Sequence, residues 1–165
     1  STKKQASLAE EMKVLYNSAN VCTDFLPLLD ALDAHMNNYS LILLLDYRGT
    51  RLLLPGDTNL AGYDGIAPAD LRAALFKIGH HGQRDGADVA LADAIRPDAV
   101  VCCASSDRRY NSAHPDTLRL LADRGAKLYF SDCPPVPGLT IPPHQALTFT
   151  VGAPGTLEAR YVPTV

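Results

Sequence analysis

Two adjacent histidines, His80 and His81, stand in "FKIGHHGQRDG" between an apolar run and a glycine. A neutral imidazole can give one ring nitrogen to a metal ion while an acceptor behind it fixes the other. The same ring can also move protons near neutral pH. Neighbouring side chains in an extended chain point apart, so a single ion would take one of the pair and leave the other to act as an acid or to orient substrate. A polar surface turn is the alternative. Gly82 removes side-chain bulk where a ligand would approach.

Two further clusters follow apolar runs. In "PGDTN" (55–59), Gly56 permits a sharp turn that presents Asp57, either as a carboxylate metal ligand or as a turn aspartate bonded to its own backbone. In "SSDRRYNSAHP" (105–115), Arg108, Arg109, Asn111 and His114 are donors of the kind that hold phosphate or a developing oxyanion. They lead into a helix whose first turn favours an anion. The alternative there is a solvated loop with His114 as a helix cap. His35 and His144 have no partners nearby in sequence, which points to structural or surface roles.

These clusters need elements to hold them. Apolar residues at helical spacing predict a helix over 6–19 (Leu8, Met12, Leu15, Tyr16) and a second over 23–36. "YSLILLLDYRGTRLLLPGD" then reads as a β-hairpin with largely buried strands, turning at Arg48-Gly49. After it come a helix in "PADLRAALF", a strand in "LFKIG", a helix in "ADVALADAIR" and a strand in "DAVVCCAS". "HPDTLRLLADRG" predicts a helix, with Pro115 near its start and Gly125 just after its end. "AKLYFSD" follows as a strand, and the Pro- and Gly-punctuated tail reads as antiparallel strands. The order implies an α/β layered domain, with its polar clusters in strand-end loops.

Composition narrows the partners. The 165 residues are 47% hydrophobic and 20% charged, which is the profile of one globular domain. A net charge of −3 gives no basic field for holding a polyanion, so any such contact must be local. The longest apolar run, "LILLL", is far too short to cross a bilayer. Among the four cysteines, Cys22, Cys102, Cys103 and Cys133, no CxxC pair occurs. Cys102 and Cys103 should point to opposite faces of a strand as reduced thiols, which favours a cytoplasmic setting. No GxGxxG or GxxxxGK[ST] loop follows a predicted strand, which argues against a simple nucleotide-binding module.

A hairpin ending in GD, a strand ending in HHG, and a strand followed by N-x-x-HP and a helix together resemble the metallo-β-lactamase superfamily. Within it they are similar to the hydrolase domain of the DNA-uptake competence protein family. The resemblance covers residues 37–132 and does not account for the helical lead-in, 1–36. It implies half of an αββα sandwich, the C-terminal half-domain spanning 37–165, and a centre for one or two zinc or manganese ions. It matches Asp57 to the family's metal-bridging aspartate. The His80–His81 pair contains the last histidine ligand, with His81 preferred and both retained. His114 and Asn111 match a polar loop near the substrate site. The family's HxHxDH loop is absent here. A missing N-terminal half, or a partner chain, would have to supply it before a phosphodiester or related ester could be hydrolysed. The second expectation is a non-catalytic remnant that binds a partner.

Overall fold

The computed structural model describes residues 36–153 and 155–164, together with Glu10, Lys13 and Val14. The two helices expected before Asn37 therefore lie outside the described residues, as do Cys22 and His35. Seven strands are described: β1 (Leu43–Tyr47), β2 (Thr50–Leu54), β3 (Leu75–Lys77), β4 (Ala99–Cys102), β5 (Lys127–Phe130), β6 (Ala146–Val151) and β7 (Leu157–Val162). Three α-helices alternate with the middle strands: α1 (Pro68–Leu71), α2 (Val89–Ile95) and α3 (Pro115–Ala122).

Strands β1 to β5 form one sheet in sequence order. β1 is antiparallel to β2, while β2, β3, β4 and β5 run parallel. The fold is thus a mixed α/β layer structure, as the alternation of elements implied. Crossovers between adjacent parallel strands are right-handed. A strand order that never reverses therefore puts the connecting helices on one face. On that face Leu53, Phe76 and Val100 pack with Leu91 and Ile95 of α2 and Leu118 and Leu121 of α3. The opposite face carries Leu75, Ala99 and Val101, covered by Leu147, Phe149 and Leu157 of the β6–β7 hairpin. Side chains alternate between the faces at period two, and Cys102 and Cys103 follow that rule by joining opposite cores.

Local chemistry marks the ends of these elements. Arg48 (φ 53°) and Gly49 (φ 79°) form the two-residue turn of the β1–β2 hairpin, with both residues left-handed as that turn type requires. The Asp88 side chain accepts from Leu91 N–H at 2.8 Å and so starts α2, which ends at left-handed Arg96 just before Pro97. Pro115 opens α3, and Gly125 (φ +89°) turns the chain toward β5.

Two expectations are corrected. The helix expected across "PADLRAALF" is a single turn, Pro68–Leu71. The Ala73 and Ala74 amides bond instead to the Ile95 and Arg51 carbonyls, which draws the chain into the sheet. The hairpin is also not buried throughout. β2 is mostly covered, but all five residues of β1 are exposed. β1 is the edge of the sheet, and the apolar contacts of the β6–β7 hairpin fall on β2 to β5.

Candidate functional site

Because β2, β3 and β4 are parallel neighbours, the loops that leave their C-terminal ends meet at one edge of the sheet. Asp57 lies in the first loop, His80 and His81 in the second, and Asn111 and His114 in the third. Gly56 (φ +63°) makes the turn that presents Asp57 after Pro55. In the second loop, His80 (φ 46°), His81 (φ 53°) and Gly82 (φ 71°) are all left-handed, rather than extended. Arg108, Tyr110, Asn111 and Ala113 are left-handed too. Non-glycine residues rarely hold this conformation and need surrounding structure to keep them there.

That support is visible. Ala113 N–H donates to the His81 carbonyl at 3.0 Å, and His114 N–H to the Gly82 carbonyl at 2.7 Å, so the second and third loops are laced together. A Cβ on Gly79 would sit 2.5 Å from the Thr58 carbonyl oxygen, which shows how closely the first two loops approach. A Cβ on Gly82 would lie 2.8 Å from the buried Cys102 Sγ. Burial, reinforced by the neighbouring Cys103, pushes the Cys102 thiol up to about 12, so it stays protonated and serves as packing.

The two histidines have different surroundings. His80 turns into a polar pocket, with Nδ1 3.1 Å from Asp85 Oδ1. Its Nε2 faces the side-chain amides of Asn37 at 3.1 Å and Gln83 at 3.0 Å. With Nδ1–H donated to the carboxylate, Nε2 accepts from those amides, and both ring nitrogens are occupied. His81 is half exposed, and its Nδ1 lies 2.6 Å from the Cys103 carbonyl. A carbonyl only accepts, so Nδ1 must carry the proton. That leaves Nε2 directed at Asp57 Oδ1, 3.4 Å away.

A neutral imidazole nitrogen and a carboxylate oxygen are both acceptors. Set face to face, they need either a proton on Nε2 or a cation beside them. Lys77 supplies one: its Nζ lies 3.5 Å from the same Asp57 Oδ1 and 2.5 Å from the Gly56 carbonyl. The Asp57–His81 donor set, hard oxygen and borderline nitrogen, suits zinc or manganese. The backbone acceptor behind His81 is the usual support for a ligating ring. The set is nevertheless short. Among the described residues no group of three or more His, Cys, Asp or Glu could hold a metal ion, and a catalytic zinc site usually has three protein ligands.

Asn111 and His114 line an open cleft with Leu60, Gln83, Arg84 and Asp85, whose volume is ≈ 650 Å³. His81 borders a smaller one, ≈ 250 Å³, with Ser105, Tyr110 and Ser112. Gln83 lines both, so the two clefts adjoin. His114 caps α3, its Nδ1 accepting from Asp116 N–H at 3.3 Å. Arg108 is turned back onto the carbonyls of Ser112 and Ala113, and Arg109 onto Asp107. Both guanidiniums are therefore engaged in holding the loop.

Sequence reasoning missed Lys77, Asp85 and the Cys103 carbonyl. Lys77 and Asp85 lie inside the stretch that carries the histidines, so proximity was a signal for them. Nothing in the residue types marks a backbone carbonyl as the partner of a histidine 22 positions earlier.

No protein-family model matches the chain. A stretch of 101 residues, 60% of the chain, is similar at 26% identity to ComE operon protein 3 of Bacillus subtilis (strain 168). That match spans 13% of the relative's own length. No helix among the described residues is long and apolar enough to cross a membrane.

Proposed function

We propose that this chain is the C-terminal half of a metal-dependent hydrolase of metallo-β-lactamase type, acting on a phosphodiester or related ester bond. The observation that carries the reading is the pairing of Asp57 Oδ1 with His81 Nε2 at 3.4 Å, while Nδ1 is locked on the Cys103 carbonyl. Two acceptors held toward one another by a rigid scaffold make half of a cation site. Of the two adjacent histidines, His81 is the one with a nitrogen to give. The short match to a much longer relative supports a reading in which the chain works as part of a larger protein.

In that reading Asp57 and His81 hold zinc or manganese, one or two ions, with the remaining ligands supplied by an HxHxDH-bearing half or partner chain. The ions, when bound, polarise the scissile ester and make a water nucleophilic at neutral pH. The chain's own residues have narrower tasks. The Cys103 carbonyl orients His81, and Gly56 turns Asp57 toward it. His80, with Asp85, Asn37 and Gln83, stiffens the loop between them. His114 and Asn111 border the adjoining cleft, where a substrate's leaving group would lie. His114 Nδ1 is engaged with α3, so proton transfer would have to use its Nε2.

The test is titration with Mn2+ and Zn2+ of the chain alone and mixed with an HxHxDH-bearing segment, together with hydrolysis of bis(p-nitrophenyl) phosphate. Uptake should be weak in the chain alone and stoichiometric in the mixture. Asp57→Ala and His81→Ala should each lower affinity at least ~10-fold, and His80→Ala much less. A mixture whose metal content and hydrolysis ignore Asp57→Ala overturns the assignment.

A second reading is favoured by the exposed apolar edge at β1: a non-catalytic half-domain that binds a partner through that strand. It predicts stable complex formation without metal uptake, which the same mixing experiment separates.

A further inference from the structure

Lys77 is the last residue of β3, and its side chain is only 14% exposed. It stands in register with Val101 of β4, on the face that the β6–β7 hairpin covers. A lysine in such a row normally needs a partner, because burying an ammonium without one is costly. Its partners belong to the first loop: the Gly56 carbonyl at 2.5 Å and Asp57 Oδ1 at 3.5 Å. The ammonium and the His81 imidazole thus reach the same carboxylate oxygen.

From this geometry we propose that Lys77 is a built-in counter-cation for Asp57, one that neutralises the carboxylate in the metal-free protein and competes with a divalent cation for Oδ1. The inference rests on the metal-binding reading above and adds a gating residue to it. A divalent ion on Asp57 would sit a few ångströms from a fixed positive charge, in a partly buried setting that salt screens poorly. The ammonium is a compact point charge with rotatable donors on a flexible stem. It can leave Oδ1 and keep the Gly56 carbonyl, so the turn persists when the carboxylate changes partners. Lys77 is therefore a positioning residue, acting through Asp57. The consequence is a half-site that resists stray metal and yields Asp57 only when further ligands add their share of the binding energy. A purely structural lysine would act in the opposite sense, since its removal would loosen the turn and weaken metal binding.

The test is Mn2+ titration of the 165-residue chain, followed by water-proton relaxation. Lys77→Met and Lys77→Gln should bind Mn2+ about 10-fold more tightly than wild type, because a competing charge is gone. Lys77→Arg, which keeps the charge, should stay within about threefold of wild type. In an Asp57→Asn background, Lys77→Met should change nothing. Circular dichroism checks folding of each variant. A measurement independent of substitution uses the wild-type chain, where Zn2+ should shift the Lys77 Nζ resonance and leave that of exposed Lys127 in place. Equal or weaker Mn2+ binding by Lys77→Met and Lys77→Gln, or an unmoved Lys77 resonance at saturating Zn2+, overturns the role given to Lys77. Uptake that is the same in wild type and Asp57→Asn overturns the metal reading itself, so the two failures are distinguishable.

Discussion

At the C-terminal end of β3 both ring nitrogens of His80 have partners. At the edge of the same sheet, Leu43, Leu44, Leu45 and Tyr47 of β1 stand 39% to 51% exposed. One region is strained and tightly cross-linked. The other is regular in backbone and open along its outer side. The contrast separates geometry from completeness: the strand-end loops hold their difficult conformations with contacts inside this chain, whereas among the described residues no strand pairs with the outer side of β1 and its apolar side chains stay exposed.

The sharpest way to break that comparison is Gly82→Ala. The new methyl group would meet Cys102 Sγ at 2.8 Å on a backbone with φ +71°. A loss of about 2–3 kcal/mol in urea denaturation is expected. A loss near zero would mean that the loops are less constrained than their contacts imply.

The paired histidines sharpen the point within one loop. His80→Ala strands Asp85 and two amides and should cost about 1–2 kcal/mol. His81→Ala, at a half-exposed ring, should fall within about 0.5 kcal/mol of wild type while lowering metal affinity at least ~10-fold. Similar stability losses would contradict the division of labour drawn here.

At the open edge the expectation reverses. Leu43→Thr with Leu45→Thr removes exposed apolar surface and puts β-branched strand formers in its place. Stability should stay within about 0.5 kcal/mol, and self-association in analytical ultracentrifugation should fall. A large stability loss would mean that the edge is covered in solution.

The last expectation concerns pH. In the unfolded chain the Cys102 thiol ionises near its ordinary value of about 8.5, and in the folded protein burial holds it protonated up to about 12. The unfolded state therefore gives up its proton first, and stability falls progressively between those two values as pH rises. Cys102→Ala should flatten that part of the stability–pH curve, and unchanged curvature would assign it to other groups.

Much of the sheet was legible from sequence. β3, β4 and β5 are short apolar runs, each followed by a polar loop, and their alternation with helices implied an α/β layer structure. β1 was misread because its run, "LILLL", is what a strand buried on both faces also looks like. Composition does not say whether a cover exists. Asp57 and His81 were each visible as candidates, but resemblance rather than spacing joined them. Their meeting depends on β2 and β3 being neighbours, with Leu52 opposite Leu75. The different surroundings of the two histidines were not legible. They follow from left-handed backbone at both positions and from a carbonyl on β4's loop. Lys77 went unremarked because a lysine ending a strand ordinarily reads as a solvent-facing side chain.

The lacing of His81 to Ala113 and of Gly82 to His114 has a kinetic corollary. Those bonds span more than thirty residues of chain and can close only after β3 and β4 have docked, a non-local event of the slow kind. A cation captured by Asp57 and His81 would thus arrive after the chain's topology is set and could not seed it. Added during refolding, Mn2+ should leave the folding rate unaltered and slow only the unwinding of the finished molecule.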